Sequence, residues 1–124
     1  MTVRVVTVDD QAAFRRAAEV VINAAPGFEL AGEAASGEEG LSVVGSLDPD
    51  LVLLDVRMPG INGVETARRL AAERPDLVIV LVSVQEPGSA PGASACGAAT
   101  QVAKRDLGPS LLRDLWVAHR PSAN

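Results

Sequence analysis

A chain of 124 residues, 48% of them apolar, is long enough to bury one core without staples, and its single cysteine, Cys96, rules out an internal disulfide and a cysteine-cluster metal site. A net charge of −5 with no long block of like charge argues against non-specific binding to nucleic acid. Two Phe, one Trp and no Tyr leave the core to Val, Leu, Ile and Ala, the palette of a parallel sheet covered by alanine-rich helices.

Val3 to Val8 (VRVVTV) is short and β-branched, which predicts a strand, and it runs directly into Asp9 and Asp10. Gln11 to Ala25 has helical spacing, with Phe14, Ala18, Val21 and Ala25 on one face, Asp10 as its expected cap and Pro26-Gly27 as its stop. Phe28 to Ala34 (FELAGEA) is a weaker second strand. Ser36 and Glu39 fit a capping box before a second helix lined by Leu41, Val44 and Leu47. Asp50 to Asp55 (DLVLLD) predicts a buried strand that ends on an acid. Val56 to Gly63 (VRMPGING) is a loop, because Pro59, Gly60 and Gly63 break regular structure. Val64 to Arg74 is a third helix, supported by the Glu65–Arg69 spacing and stopped by Pro75. Leu77 to Ser83 (LVIVLVS) is a fourth strand. Glu86 to Gly97 (EPGSAPGASACG) holds two Pro and three Gly where a fourth helix is due. At ~3 kcal/mol for an interior Pro and ~1 kcal/mol for each Gly, that helix is expected to be short or irregular. Thr100 to Ala103 is a short fifth strand ending at Lys104. Pro109 opens a last helix, with Leu112, Leu115 and His119 aligned and Pro121 at its end.

Strict β/α alternation predicts an α/β fold: a parallel sheet with helices on both faces and right-handed crossovers. Residues 1–120 form the expected domain and 121–124 a tail or linker stub. No charged start and apolar run marks a signal peptide, and Leu77 to Val82, the longest apolar run, is too short to span a bilayer. A soluble cytoplasmic chain with no membrane partner is expected. Cys96 reads as an inert small residue, and His119 has no second histidine with which to bind metal. Trp116 is expected to be partly buried or part of a contact surface.

Ligands of such sheets bind beyond the carboxyl ends of the strands. Asp9 and Asp10, Asp55, Ser83 and Lys104 occupy those ends and are expected around one crevice. Two like charges ~4 Å apart cost ~4 kcal/mol at an effective dielectric near 20. Three carboxylates against one lysine therefore call either for a hard divalent cation, with Mg²⁺ the usual choice, or for a raised carboxyl pKa. A metal-held carboxylate beside a lysine and a hydroxyl suits attack by Asp55 on a phosphoryl donor, with Lys104 and the metal stabilising charge and the Ser83 hydroxyl donating to a transferred oxygen. A phosphohydrolase would need a second acid two residues after Asp55, where Arg57 stands. A dinucleotide fold would need a glycine-rich loop where Asp9 and Asp10 stand.

Val8-Asp9-Asp10, Leu53-Leu54-Asp55-Val56-Arg57-Met58-Pro59-Gly60 with Gly63, Val82-Ser83 and Lys104 together closely resemble the receiver domain of bacterial two-component systems, across essentially the whole chain. Gly32-Glu33-Ala34-Ala35 and Lys104-Arg105-Asp106-Leu107 look most like the NarL/FixJ class. The resemblance implies a CheY-like (flavodoxin-like) sheet of strand order 2-1-3-4-5. It implies a regulatory phosphoacceptor rather than an enzyme, one that supports its own phosphorylation and autodephosphorylation. Asp55 would be the acceptor. Asp10, Asp55 and the backbone carbonyl of Arg57 would hold Mg²⁺, with Asp9 acting partly through water. Lys104 would contact the phosphoryl group, and Ser83 would be the switch hydroxyl. A sensor histidine kinase would be the donor, and a homodimer through the last helices is an assembly the class implies.

Two departures stand out. Family members usually carry Tyr or Phe three residues before the lysine, at the position of Gln101, and this aromatic usually takes part in the switch. Whole-length NarL/FixJ members carry a DNA-binding helix-turn-helix after the receiver, and this chain stops at Asn124, so it is expected to be either a stand-alone receiver or a domain excised from a DNA-binding regulator, with no direct nucleic-acid binding of its own. Gln101 and the Pro/Gly-rich stretch also motivate a second reading, a phosphorylation-independent interaction or dimerisation module.

Overall fold

A computed structural model describes residues 2–84, 92 and 95–122. The predicted strands form as β1 (Val3–Val8), β2 (Phe28–Ala34), β3 (Leu51–Asp55), β4 (Val78–Ser83) and β5 (Thr100–Ala103). Between and after them run the helices α1 (Ala12–Ala24), α2 (Gly37–Leu47), α3 (Gly63–Glu73) and α4 (Pro109–His119). All strand pairs are parallel, and the sheet order is β2-β1-β3-β4-β5, as the resemblance implies. The expected short or irregular helix over residues 86–97 falls largely outside the described residues. Among the described residues, no helix is long and apolar enough to cross a membrane.

Period-2 alternation divides the strand side chains between two cores. Val6, Val8, Val52, Leu54, Ile79 and Leu81 face α2 and α3 and meet Val44, Ala67 and Leu70. Val5, Leu51, Leu53, Val80 and Val82 face the other way and meet Ala18 and Ile22 of α1 and Leu112 and Leu115 of α4. Because β3 and β4 are covered on both faces, every one of their residues is buried, which is why they read as unbroken apolar runs. The aligned His119 of α4 is exposed, and Cys96 is buried. Trp116 is partly buried and lines a groove at the amino ends of the strands, with Val3, Pro75 and Leu77.

The helix ends follow the predicted chemistry with three corrections. Ser36 caps α2 by accepting a hydrogen bond from the Glu39 amide at 3.1 Å, but the Glu39 carboxylate reaches back to the Ala35 amide at 2.6 Å rather than to that of Ser36. Asp10 does not cap α1. Gln11 holds the cap position without a side-chain bond, and the carboxylate that turns back to this helix start is Asp9, whose Oδ1 accepts from the Gln11 amide at 2.8 Å. Helix α3 begins one residue before its predicted start, at Gly63, because Asn62 is a cap: its Oδ1 accepts from the Glu65 amide at 2.9 Å. The Asn62 to Glu65 spacing is the usual start signal, and it lies within the segment read as loop. Glu65 then pairs with Arg69 at 2.9 Å, which holds its carboxyl below the usual range.

Gly45 is exposed in the interior of α2 and has nothing within 4 Å of where a Cβ would stand. Gly45→Ala is therefore expected to stabilise the protein by about 0.5–1 kcal/mol, read as a higher urea midpoint at unchanged slope.

Candidate functional site

Register builds the site. Val8 lies beside both Ala34 and Leu54, so Asp9 leaves β1 next to Asp55 at the end of β3. Asp55 pairs with Val82, and Ser83 pairs with Ala103, which brings Ser83 and Lys104 to the same rim. Residues separated by up to 95 positions in the chain thus meet at one edge, where the strand order turns from β1 outward in both directions.

Asp9 is 1% exposed and hydrogen-bonded on both its backbone groups. Its amide donates to the Ala34 carbonyl at 3.0 Å, and its own carbonyl accepts from the Arg15 guanidinium at 2.5 Å. Arg15 also pairs with Glu33 at 3.3 Å, tying α1 to the end of β2. Asp10 is exposed. Asp55 is 6% exposed, and its Oδ1 accepts weakly from the Arg57 amide at 3.4 Å. Lys104 places its ammonium 2.6 Å from Asp9 Oδ2 and 3.6 Å from Asp55 Oδ1, and 4.5 Å from the centre of the Phe14 ring. Ser83 is buried at the end of β4. Gln101 is half-buried in β5, in register with Leu81.

The loop after β3 is fastened at both ends. The Val56 amide donates to the Val82 carbonyl at 3.1 Å, and the Gly63 amide donates to the Val56 carbonyl at 2.9 Å. A Cβ on Gly63 would lie 2.0 Å from the Asp55 carbonyl oxygen, so only glycine permits the return of the chain at that point. From the neighbouring helix, Glu38 accepts from the Ile61 amide at 3.3 Å and lies against Gly60, whose φ of +79° also favours glycine. Phe14, Arg15, Glu38 and Asn62 are the supporting residues that pattern reading did not assign to the site. Asn62 alone carries a local signal. The others act through contacts that span the fold.

One oxygen each from Asp9, Asp10 and Asp55 lies within 4.8 Å of the other two. An octahedral ion with oxygens at ~2.1 Å spaces its ligands by ~3–4 Å, so small side-chain adjustments would let the three share a hard divalent cation. The electrostatics fit that chemistry. Burial first, and then the Asp9 carboxylate, push the Asp55 carboxyl up to about 6, against the smaller lowering effects of Lys104 and the Arg57 amide. Both ways of relieving crowded acids, a cation or a retained proton, thus bear on the same carboxyl group.

Residues 5–114 match the family model for the response regulator receiver domain. The chain belongs to that family. It is similar to the response regulator GacA of Pseudomonas viridiflava, 42% identical over 84 residues that make up 68% of this chain and 39% of that protein. It is also similar to the nitrate/nitrite response regulator protein NarL of Escherichia coli K12, 41% identical over 80 residues, 64% of this chain and 37% of that protein. The chain therefore spans under two fifths of the length of these curated relatives. Among solved structures, the response regulator domain of Thermotoga maritima CheB superposes with a TM-score of 0.85 at 26% identity, covering 96% of this chain and 97% of that one. The signal receiver domain of the NarL-type regulator of Mycobacterium tuberculosis gives a TM-score of 0.80 at 28% identity, covering 92% of this chain and 96% of that one.

Proposed function

We propose that this receiver domain accepts a phosphoryl group on Asp55 from the phosphohistidine of a sensor histidine kinase, in a Mg²⁺-dependent reaction, and that the modification alters partner binding or self-association. The observation that carries the reading is the convergence of Asp9, Asp10, Asp55, Ser83 and Lys104 from the ends of four strands onto one rim.

The step follows from what each group can do. An Asp55 carboxylate oxygen forms the bond to phosphorus while the phosphorus–nitrogen bond of the donor breaks, and the imidazole leaves with that electron pair and takes up a proton. Asp9, Asp10, Asp55 and the Arg57 carbonyl are the groups that would hold the cation. When bound, it supplies positive charge that keeps Asp55 ionised and offsets charge on the transferring oxygens. Lys104 adds a second positive charge at the rim, and its nearly buried ammonium acts in a low-dielectric setting where that charge counts most. Ser83, buried at the end of β4, would donate its hydroxyl to an oxygen of the transferred group. Water later removes the phosphoryl group from Asp55. A cytoplasmic location goes with this reading. DNA binding, if the chain is part of a longer regulator like its relatives, would belong to that remainder.

A second reading rests on Gln101. With an amide where the family's mobile aromatic usually stands, the domain would bind partners regardless of Asp55. Partner affinity unchanged by phosphorylating conditions and by Asp55→Asn would favour it.

The decisive experiment is incubation with acetyl phosphate, with and without Mg²⁺, followed by intact-mass measurement. A single phosphoryl adduct is expected that needs Mg²⁺ and is absent from the Asp55→Asn protein. Absence of any adduct on the parent protein, with a phosphoramidate donor as well, would overturn the proposal.

A further inference from the structure

Lys104 has an aromatic neighbour. Its ammonium lies 4.5 Å from the centre of the Phe14 ring while it contacts Asp9 and Asp55, and its side chain is only 9% exposed. Phe14 stands in the first turn of α1, just beyond the two acids, so one short stretch of chain carries both the carboxylates and the ring.

The arrangement has a consequence once the phosphoacceptor reading is taken as its basis. The two carboxylates that hold the ammonium are the ones that would hold a divalent cation. Sharing them weakens their pull on Lys104, and the cation itself repels the ammonium. The ring face is different. It attracts a cation through its quadrupole, it is no ligand for a hard metal, and it is fixed by packing against the core beneath α1. A desolvated ammonium gains more from such a face than an exposed one does.

We infer that Phe14 is a positioning residue for Lys104, keeping the ammonium at the rim in the metal-loaded domain, where it meets the incoming phosphoryl group. The inference differs from simple core packing in what it demands of the side chain. Packing needs apolar volume, whereas holding a cation needs a π face. Phe14→Leu keeps much of the first and removes the second, while Phe14→Tyr keeps both.

The test uses trifluoroberyllate, a phosphoryl mimic, titrated calorimetrically into the protein at saturating Mg²⁺. Phe14→Leu is expected to weaken its binding by about five-fold, equivalent to ~1 kcal/mol, and Phe14→Tyr by less than about two-fold. Mg²⁺ affinity alone should change by less than about two-fold in either variant, since the ring does not touch the metal ligands' charge. Equal affinity of parent and Leu variant for the mimic, or equal losses in Leu and Tyr variants, would overturn the inference while leaving the acceptor chemistry standing. Failure of the parent protein itself to bind the mimic would overturn both. A second measurement needs no variant. The Lys104 ε-methylene protons should be shifted upfield by the ring in the NMR spectrum and remain so when Mg²⁺ is added. Loss of that shift on adding Mg²⁺ would show that the ammonium leaves the ring and would overturn the inference.

Discussion

Asp55→Asn is expected to make the metal-free protein more stable at pH 7, by on the order of 2 kcal/mol. The folded Asp55 carboxyl is pushed up from 3.8 to about 6, chiefly by burial and then by Asp9. A raised acid contributes its stability when protonated. That contribution is complete below the unfolded value of 3.8 and is lost as pH rises through about 6, so at neutrality the ionised carboxylate works against the fold. An isosteric amide removes the charge and the penalty together. Urea unfolding of both proteins in chelator, at a series of pH values, reads the difference directly, because the other titrating groups are common to both. The gain should shrink as pH falls from 7 and be small near about pH 4. A variant that is no more stable than its parent at pH 7, or a gain that persists undiminished in acid, would contradict the electrostatic account of the site. Mg²⁺ should offset most or all of that gain by stabilising the parent selectively, by ~2.7 kcal/mol at a hundred times its dissociation constant.

Gly63→Ala should have an opposite and larger effect, a loss of about 3 kcal/mol or more together with loss of the phosphoryl adduct. The added methyl carbon would stand 2.0 Å from the Asp55 carbonyl oxygen and 2.8 Å from both the Asp55 carbonyl carbon and the Val56 Cα. All three obstacles are backbone atoms at the end of a fully buried strand, so no side chain can swing aside. Gly63 is itself tethered by its hydrogen bond to the Val56 carbonyl, and retreat would break the turn that starts α3. Chemical denaturation and the acetyl phosphate assay on the same sample separate the two effects. Gly45→Ala, a glycine replacement in open space on α2, is the matched control and should move stability the other way. An unchanged midpoint and adduct rate in Gly63→Ala would mean that the close approach does not set the geometry at the end of β3.

Much of this protein is written locally. The unbroken apolar runs of β3 and β4, the Pro and Gly stops and the β/α alternation determined the strands, most helix limits and the fold class, since each depends on neighbours within a few residues. The acids, hydroxyl and lysine at the strand ends marked the candidate site residues for the same reason: a strand followed at once by Asp places that Asp on the carboxyl rim wherever the strand goes. Which carboxylate does what is another matter. Asp9 and Asp10 are adjacent and chemically identical, yet Asp9 is buried against Lys104 and turned onto the Gln11 amide, while Asp10 is exposed and caps nothing. That division depends on β1 register against β2 and β3, which sets where the chain leaves the sheet. The elevated Asp55 carboxyl and the Phe14 ring against Lys104 likewise arise between segments tens of residues apart, and the clash that reserves position 63 for glycine arises where the chain folds back on Asp55 and Val56. Sequence by itself determined the elements and the chemical inventory of the rim, because those follow from local propensity and spacing. Only the tertiary structure decided the distances, burial and charge balance among those groups, because Coulombic and packing energies depend on separations that chain folding, not chain order, creates.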